Sequence, residues 1–96
     1  MFTHIVLFKL SNPTKENVEF VAGRLRSMEG KIEQLKSLEV GVDELHTDRS
    51  FDVALITRFD SVEDMNTYQV SQYHVNEVLG KIKPYIEVSK VADYNF

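Results

Sequence analysis

The sequence lacks cysteine and tryptophan, and its 96 residues include only two prolines and four glycines. Without cysteine the chain can form neither a disulfide framework nor a thiolate zinc cluster, so packing alone must hold its core. A chain of this length forms one domain with a modest core. We therefore expect a single domain over residues 1–96, helped by a second copy of the chain or by a bound ligand.

Basic residues are also in short supply, with 11 Lys and Arg against 15 Asp and Glu and a formal net charge of −4. Proteins that bind nucleic acids usually gather Lys and Arg on one face, so this balance argues against nucleic-acid partners. The apolar run Ile5–Phe8 is far too short for a membrane span or for the apolar region of a signal peptide. We expect a cytoplasmic protein with no membrane partner.

The sequence carries no motif for a metal or a cofactor. Its three histidines, at positions 4, 46 and 74, do not have the spacing of ligand pairs, and no His-Glu-x-x-His pattern occurs. The glycines are too scattered to form a phosphate-binding loop. His46 lies in a polar turn and is expected to be solvated. We therefore expect neither a metal site nor a bound cofactor.

The hydrophobic pattern predicts four strands and two helical regions. Residues 2–10, 37–45, 51–59 and 86–96 have the alternation or the β-branched and aromatic content of strands. A helix capped by Thr14 and stopped near Gly30 has an apolar stripe at Val18, Val21, Ala22, Leu25 and Met28. A second helical region starts at the capping sequence Ser61–Asp64, with a break near Ser71, and ends at Pro84. The order β-α-β-β-α-β predicts a ferredoxin-like α+β protomer, with an antiparallel four-stranded sheet and both helices on one face.

The other face of this sheet is predicted to be partly apolar, with Ile5, Leu7, Ala54, Ile56 and Val91 exposed in a monomer. An exposed apolar sheet face usually marks an interface, so we expect a homodimer with two sheets packed face to face around a barrel-like core.

An RNA-recognition motif has the same topology. That motif stacks bases on aromatic side chains of a basic, glycine-containing third strand. The third strand here, "FDVALITRF", has no glycine and has an acid at its second position, so the sequence does not fit an RNA-recognition motif.

The blocks "THIVLFKL", "GKIEQLKSLEVGV", "RSFDVALITRFDSVEDMNTYQ" and "VADYNF" resemble the stress-responsive dimeric α/β-barrel (Dabb) family across essentially the whole chain. The resemblance implies a ferredoxin-like protomer that dimerises through its sheet. Most bacterial members have no assigned reaction, and some plant members are stress-induced stable proteins. One plant branch contains polyketide cyclases, and the positions that match its site are His4, Tyr68 and His74. That branch has a His-Pro pair where this chain has Ser71-Gln72, and a histidine where this chain has Val53.

The sequence is compatible with three interpretations of these residues. In a cyclase, His74 would act as the base of an aldol closure. Tyr68 would donate a hydrogen bond to the developing oxyanion or position the substrate, and His4 would orient the ligand or support the base. In a non-enzymatic stress protein, all three would be structural side chains with satisfied partners. A cofactor-independent, quinone-forming monooxygenase shares the same dimeric architecture. We expect a small apolar pocket between sheet and helices that binds a small organic molecule.

Overall fold

The computed structural model describes all residues from 1 to 96. The elements follow in the order β1 (Phe2–Leu10), α1 (Lys15–Arg26), β2 (Ser37–Val42), β3 (Val53–Phe59), α2 (Val62–Gln69), a π-helical segment (Tyr73–Leu79), α3 (Gly80–Ile82), a 3₁₀ turn (Lys83–Tyr85) and β4 (Ile86–Asn95). The strands form one sheet in the order β2-β3-β1-β4. All neighbouring strands are antiparallel, which confirms the predicted ferredoxin-like α+β fold.

Both helices start at the capping residues that the sequence indicates. The hydroxyl of Thr14 accepts a hydrogen bond from the backbone N–H of Asn17 at 3.1 Å. The hydroxyl of Ser61 accepts one from the N–H of Asp64, also at 3.1 Å. Each bond satisfies a backbone donor that the first helical turn would otherwise leave without a partner.

The loop between β2 and β3 is longer than the sequence predicts, and both strands are correspondingly shorter. Asp52 does not continue β3 but anchors the loop to β1. Its backbone N–H donates to the carbonyl oxygen of Phe8 at 2.8 Å. Its carboxylate accepts the N–H of Leu10 at 2.8 Å. The helix α1 also ends earlier than predicted, at Arg26, and Gly30 lies in the following turn with a φ of 77°.

The hydrophobic core lies between the helices and one face of the sheet, which we call the inner face. The predicted stripe of α1 is buried here together with the even-numbered positions of β1 and the odd-numbered positions of β3. Each fully buried aliphatic or aromatic side chain contributes about 1.5–3 kcal/mol through burial. The largest completely or almost completely buried apolar side chains are Tyr68, Phe59, Leu25, Met28 and Ile82.

The opposite, outer face carries four of the five apolar residues predicted for it. Ile5 pairs with Ile56, and Leu7 pairs with Ala54, so these four side chains share one face. The placement of Val91 was wrong. Its partner in β1 is Val6, which faces the helices, so Val91 lies on the inner face. The alternation within β4 is clear from the sequence, but its phase depends on the pairing with β1.

Candidate functional site

The inner face of β4 is the part of the sheet that the helices leave open. The helices α1 and α2 pack on β1, β2 and β3, whereas the inner-facing Val91 of β4 remains 55% exposed. The π-helical segment and α3 lie beside this open region, and a cleft remains between them and β1 and β4. The topology therefore places a cleft at one defined edge of the domain.

The cleft consists of two adjacent chambers that share Phe8, Leu79 and Ser89 as lining residues. The inner chamber has a volume of about 170 Å³. Its other lining residues are His4, Val6, Leu25, Leu55, Tyr68, Gln69, His74 and Val91. The outer chamber, of about 440 Å³, is mainly apolar. Its other lining residues are Val75, Gly80, Ile82, Lys83 and Ile86. Together the chambers reach the size of a pocket for a small organic ligand.

The three residues singled out from the sequence meet in the inner chamber. The ring of Tyr68 lies with its centroid 4.4 Å from that of His74 and 6.5 Å from that of His4. The two histidines come from different layers, because His4 belongs to β1 and His74 to the π-helical segment. All three side chains are buried. The fold therefore brings together residues that are 64 and 6 positions apart in the chain.

His74 is held in one tautomer by the backbone of the preceding helix. Its Nδ1 lies 3.0 Å from the carbonyl oxygen of Gln69, which can only accept, so Nδ1 carries the proton. Burial lowers the pKa of His74 below its ordinary value; the bond to Gln69 opposes this shift, and the nearby His4 adds to it. The imidazole is therefore neutral at pH 7 and has its lone pair on Nε2.

His4 is oriented by a carboxylate that the sequence reasoning missed. Asp93 faces it directly across the β1–β4 ladder, and the Asp93 carboxylate bonds Nδ1 of the imidazole. Every fully buried side-chain nitrogen or oxygen in the chain has a hydrogen-bond partner. Neither Nε2 of His4 nor that of His74 makes a hydrogen bond within the chain, so both border accessible space. Two ring nitrogens are thus available in the cleft.

Tyr68 contributes its ring to the cleft, while its hydroxyl is bonded within the core. The hydroxyl donates to the sulfur of Met28 at 3.6 Å, and both residues have no exposed surface. Burial raises the pKa of the Tyr68 hydroxyl well above its ordinary value. The phenol is therefore neutral and already engaged.

The helical region that carries His74 has the break predicted near Ser71 and an unpredicted π-helical geometry after it. The hydroxyl of Ser71 accepts the backbone N–H of His74 at 3.2 Å. At the other end, the N–H of Gly80 donates to the carbonyl oxygen of Val75, five residues back. Short π-helical stretches are rare and occur frequently at functional sites.

No group of three or more His, Cys, Asp or Glu side chains is arranged to hold a metal ion. No helix has both the length and the apolar character needed to cross a bilayer.

The family model described as "Stress responsive A/B Barrel Domain" matches residues 2–96. No curated protein matches the chain. A dimeric protein of unknown function with a ferredoxin-like fold from Bacteroides fragilis is 29% identical, with a TM-score of 0.82 over 99% of this chain and 95% of that chain. A dimeric ferredoxin-like protein of unknown function from Thermobifida fusca is 24% identical, with a TM-score of 0.85 over 99% and 90%. The hydroxynitrile lyase from Passiflora edulis, 18% identical with a TM-score of 0.80 over 97% and 90%, shares the fold.

Proposed function

The chain belongs to the stress responsive A/B barrel (Dabb) domain family, and from that premise we propose that it forms a homodimer in which the cleft of each protomer binds a small organic molecule. The observation that carries the proposal is the pair of open Nε2 atoms, on His4 and His74, inside an otherwise mainly apolar cleft. Small-molecule sites characteristically combine apolar walls with a few placed polar groups.

The two chambers set the orientation of this ligand. Its polar end lies in the inner chamber, where Nε2 of His74 accepts a hydrogen bond and Nε2 of His4 is within reach. Its apolar body lies against Val75, Ile82 and Ile86 in the outer chamber. Burying the apolar body provides about 25 cal/mol per Å² of surface removed from water. The histidines then select ligands that carry a hydroxyl or another acidic proton at that end.

The homodimer is proposed to form through the outer face of the sheet. Ile5, Leu7, Ala54 and Ile56 form a continuous apolar strip there, since they pair directly across β1 and β3. Leu7 is 38% exposed in the single chain, and a second copy would cover it. Two solved structures similar to this chain are described as dimeric. A cytoplasmic location stays a prediction.

The binding proposal is tested by an NMR titration of the histidine ring protons with para-propylphenol and with acetylacetone. The resonances of His4 and His74 should shift on addition of either probe. His46 is the internal control, because it is exposed in the β2–β3 loop, pairs with Asp43 and lines neither chamber of the cleft. If His4 and His74 do not respond to any probe while the protein remains folded, the non-enzymatic stress protein becomes the better interpretation.

A lyase of the polyketide-cyclase type, which closes a ring by aldol addition, is the second candidate. The observation that favours it is the neutral His74, whose Nε2 can remove a proton from the carbon between two carbonyl groups. The resulting enolate would attack a second carbonyl group of the same substrate molecule. The alkoxide formed would then take the proton back from His74. His4, paired with Asp93, would orient the substrate. For Tyr68 to stabilise the oxyanion, its hydroxyl would have to leave Met28.

Proton exchange distinguishes the candidates. A lyase should accelerate the exchange of the central protons of acetylacetone for deuterium, and His74→Gln should abolish this acceleration while the probe still binds. If exchange with the wild-type protein is no faster than in buffer, the cleft is a binding site without this activity.

A further inference from the structure

Arg24 of α1 reaches the π-helical segment and donates two hydrogen bonds to a single backbone carbonyl. Its Nε and Nη2 lie 3.1 and 2.7 Å from the carbonyl oxygen of Glu77. Nη2 also lies 3.6 Å from the Glu77 carboxylate. Hydrogen bonds from a charged donor are about twice as strong as neutral ones. Because both bonds end on a main-chain oxygen, Arg24 fixes the backbone of the segment.

The segment that Arg24 contacts has π-helical geometry, which helices rarely adopt. α-Helical geometry is far commoner than π-helical geometry, so the segment needs local causes to stay π-helical. Within the segment, the N–H of Gly80 makes the five-residue bond of π-helical geometry to the carbonyl oxygen of Val75. A Cβ at Gly80 would lie only 3.3 Å from that oxygen, so glycine suits the close approach. The second contact on the segment is the pair of hydrogen bonds from Arg24 of α1.

A change from π to α geometry would move His74. An α-helical turn contains fewer residues than a π-helical turn, and one residue corresponds to a rotation of about 100° around the helix axis. His74 is the second residue of the segment, whereas α3, which follows the C-terminal end of the segment, is anchored in the core by the buried Ile82. Rewinding the segment would therefore rotate the imidazole away from Tyr68.

We propose that Arg24 is a positioning residue: its two hydrogen bonds to the Glu77 carbonyl hold Tyr73–Leu79 in π-helical geometry and thereby place the His74 imidazole in the cleft. Arg24 itself lines neither chamber of the cleft. The importance of the His74 ring position rests on the proposed function. The ring position itself can be measured in the protein without any ligand. Failure of one proposal is thus distinguishable from failure of the other.

The test compares Arg24→Met with Arg26→Met by NMR. Arg26 is the matched control, because it lies on the same helix and its Nη2 contacts a different backbone carbonyl, that of Val40, at 3.4 Å. In Arg24→Met we expect loss of the nuclear Overhauser effect between the His74 and Tyr68 rings. The N–H of Gly80 should change its acceptor from the Val75 carbonyl oxygen to that of Asn76, which through-hydrogen-bond couplings detect. The pKa of His74 should rise toward its ordinary value as the ring becomes solvated. Arg26→Met should change none of these.

Two more variants keep the test decisive if Arg24→Met does not fold. Arg24→Lys keeps the charge but loses the two-pronged donor, so it should show the same changes in part. Gly80→Ala should produce them from the other end of the segment, through the contact with the Val75 oxygen. A folded Arg24→Met or Arg24→Lys protein in which the ring contact, the acceptor of the Gly80 N–H and the His74 pKa are all those of the wild type would overturn the proposal.

Discussion

Replacing Tyr68 by Phe separates the ring that lines the cleft from the hydroxyl that bonds within the core. The ring would stay 4.4 Å from His74, and the change removes only the bond to the Met28 sulfur at 3.6 Å. A thioether is a weak acceptor, and a typical hydrogen bond contributes about 1 kcal/mol net. We therefore expect the free energy of unfolding to fall by at most about 1 kcal/mol, or about 4–8 °C in Tm for a domain of this size. Tyr68→Ala, which also removes the buried ring, should cost about 3–5 kcal/mol.

The assay combines urea denaturation with titration of para-propylphenol. Tyr73→Phe is the control, because the Tyr73 hydroxyl donates to the hydroxyl of Ser27 at 2.9 Å and neither residue lines the cleft. Both variants should bind the probe within about twofold of the wild type, a difference of about 0.4 kcal/mol. A stable Tyr68→Phe protein that binds the probe more than about tenfold more weakly would refute the reasoning. It would indicate that the hydroxyl turns into the cleft on binding, as the cyclase mechanism requires.

A charge on the outer face tests the dimer: Ile56→Glu should be monomeric by light scattering, whereas Val62→Glu, at the exposed start of α2, should remain dimeric. A dimeric Ile56→Glu protein would contradict the proposed interface. The pKa of His74 in the folded protein lies below its value of about 6.5 in the unfolded chain. As the pH falls, the unfolded chain therefore takes up the imidazole proton at a higher pH than the folded protein does. The free energy of unfolding should therefore fall as the pH drops below about 6.5, and less so in His74→Gln; equal pH dependence would exclude this cause. Ser89→Phe should fill the junction of the chambers and weaken para-propylphenol binding at least tenfold, while unchanged affinity would place the probe elsewhere.

The fold could be predicted from the sequence because its signals are local. The caps at Thr14 and Ser61 depend on residues three positions away, and both form as expected. The alternation within β1 and β3 assigns the inner and outer faces correctly, since each strand has one clearly apolar side. Strand ends were less predictable. Asp52 does not extend β3, because its side chain bonds the backbone of β1.

The parts of the site that the sequence did not disclose depend on contacts between distant segments. Asp93 became a partner of His4, and Val91 turned to the inner face, only through the register of β4 on β1. The contact of Arg24 with the π-helical segment is likewise non-local, because the carbonyl that it binds is 53 positions away. A resemblance could indicate His4, Tyr68 and His74, but it could not show that the Tyr68 hydroxyl points to Met28.

The hydrogen bonds around the two histidines restrict the chemistry of the cleft further. His74 uses its Nδ1 proton on the Gln69 carbonyl, and His4 in its neutral form uses the corresponding proton on Asp93. The Nε2 of His74 then presents a lone pair that accepts a hydrogen bond, and the Nε2 of a neutral His4 does the same. A ligand that can only accept would leave the lone pair of His74 unsatisfied, at a cost of about 1–3 kcal/mol. For this reason para-propylphenol should bind at least about fivefold more tightly than its methyl ether, which has the same apolar body and no donor. Equal affinities would mean that the histidines do not contact the ligand, and the apolar walls alone would then have to account for binding.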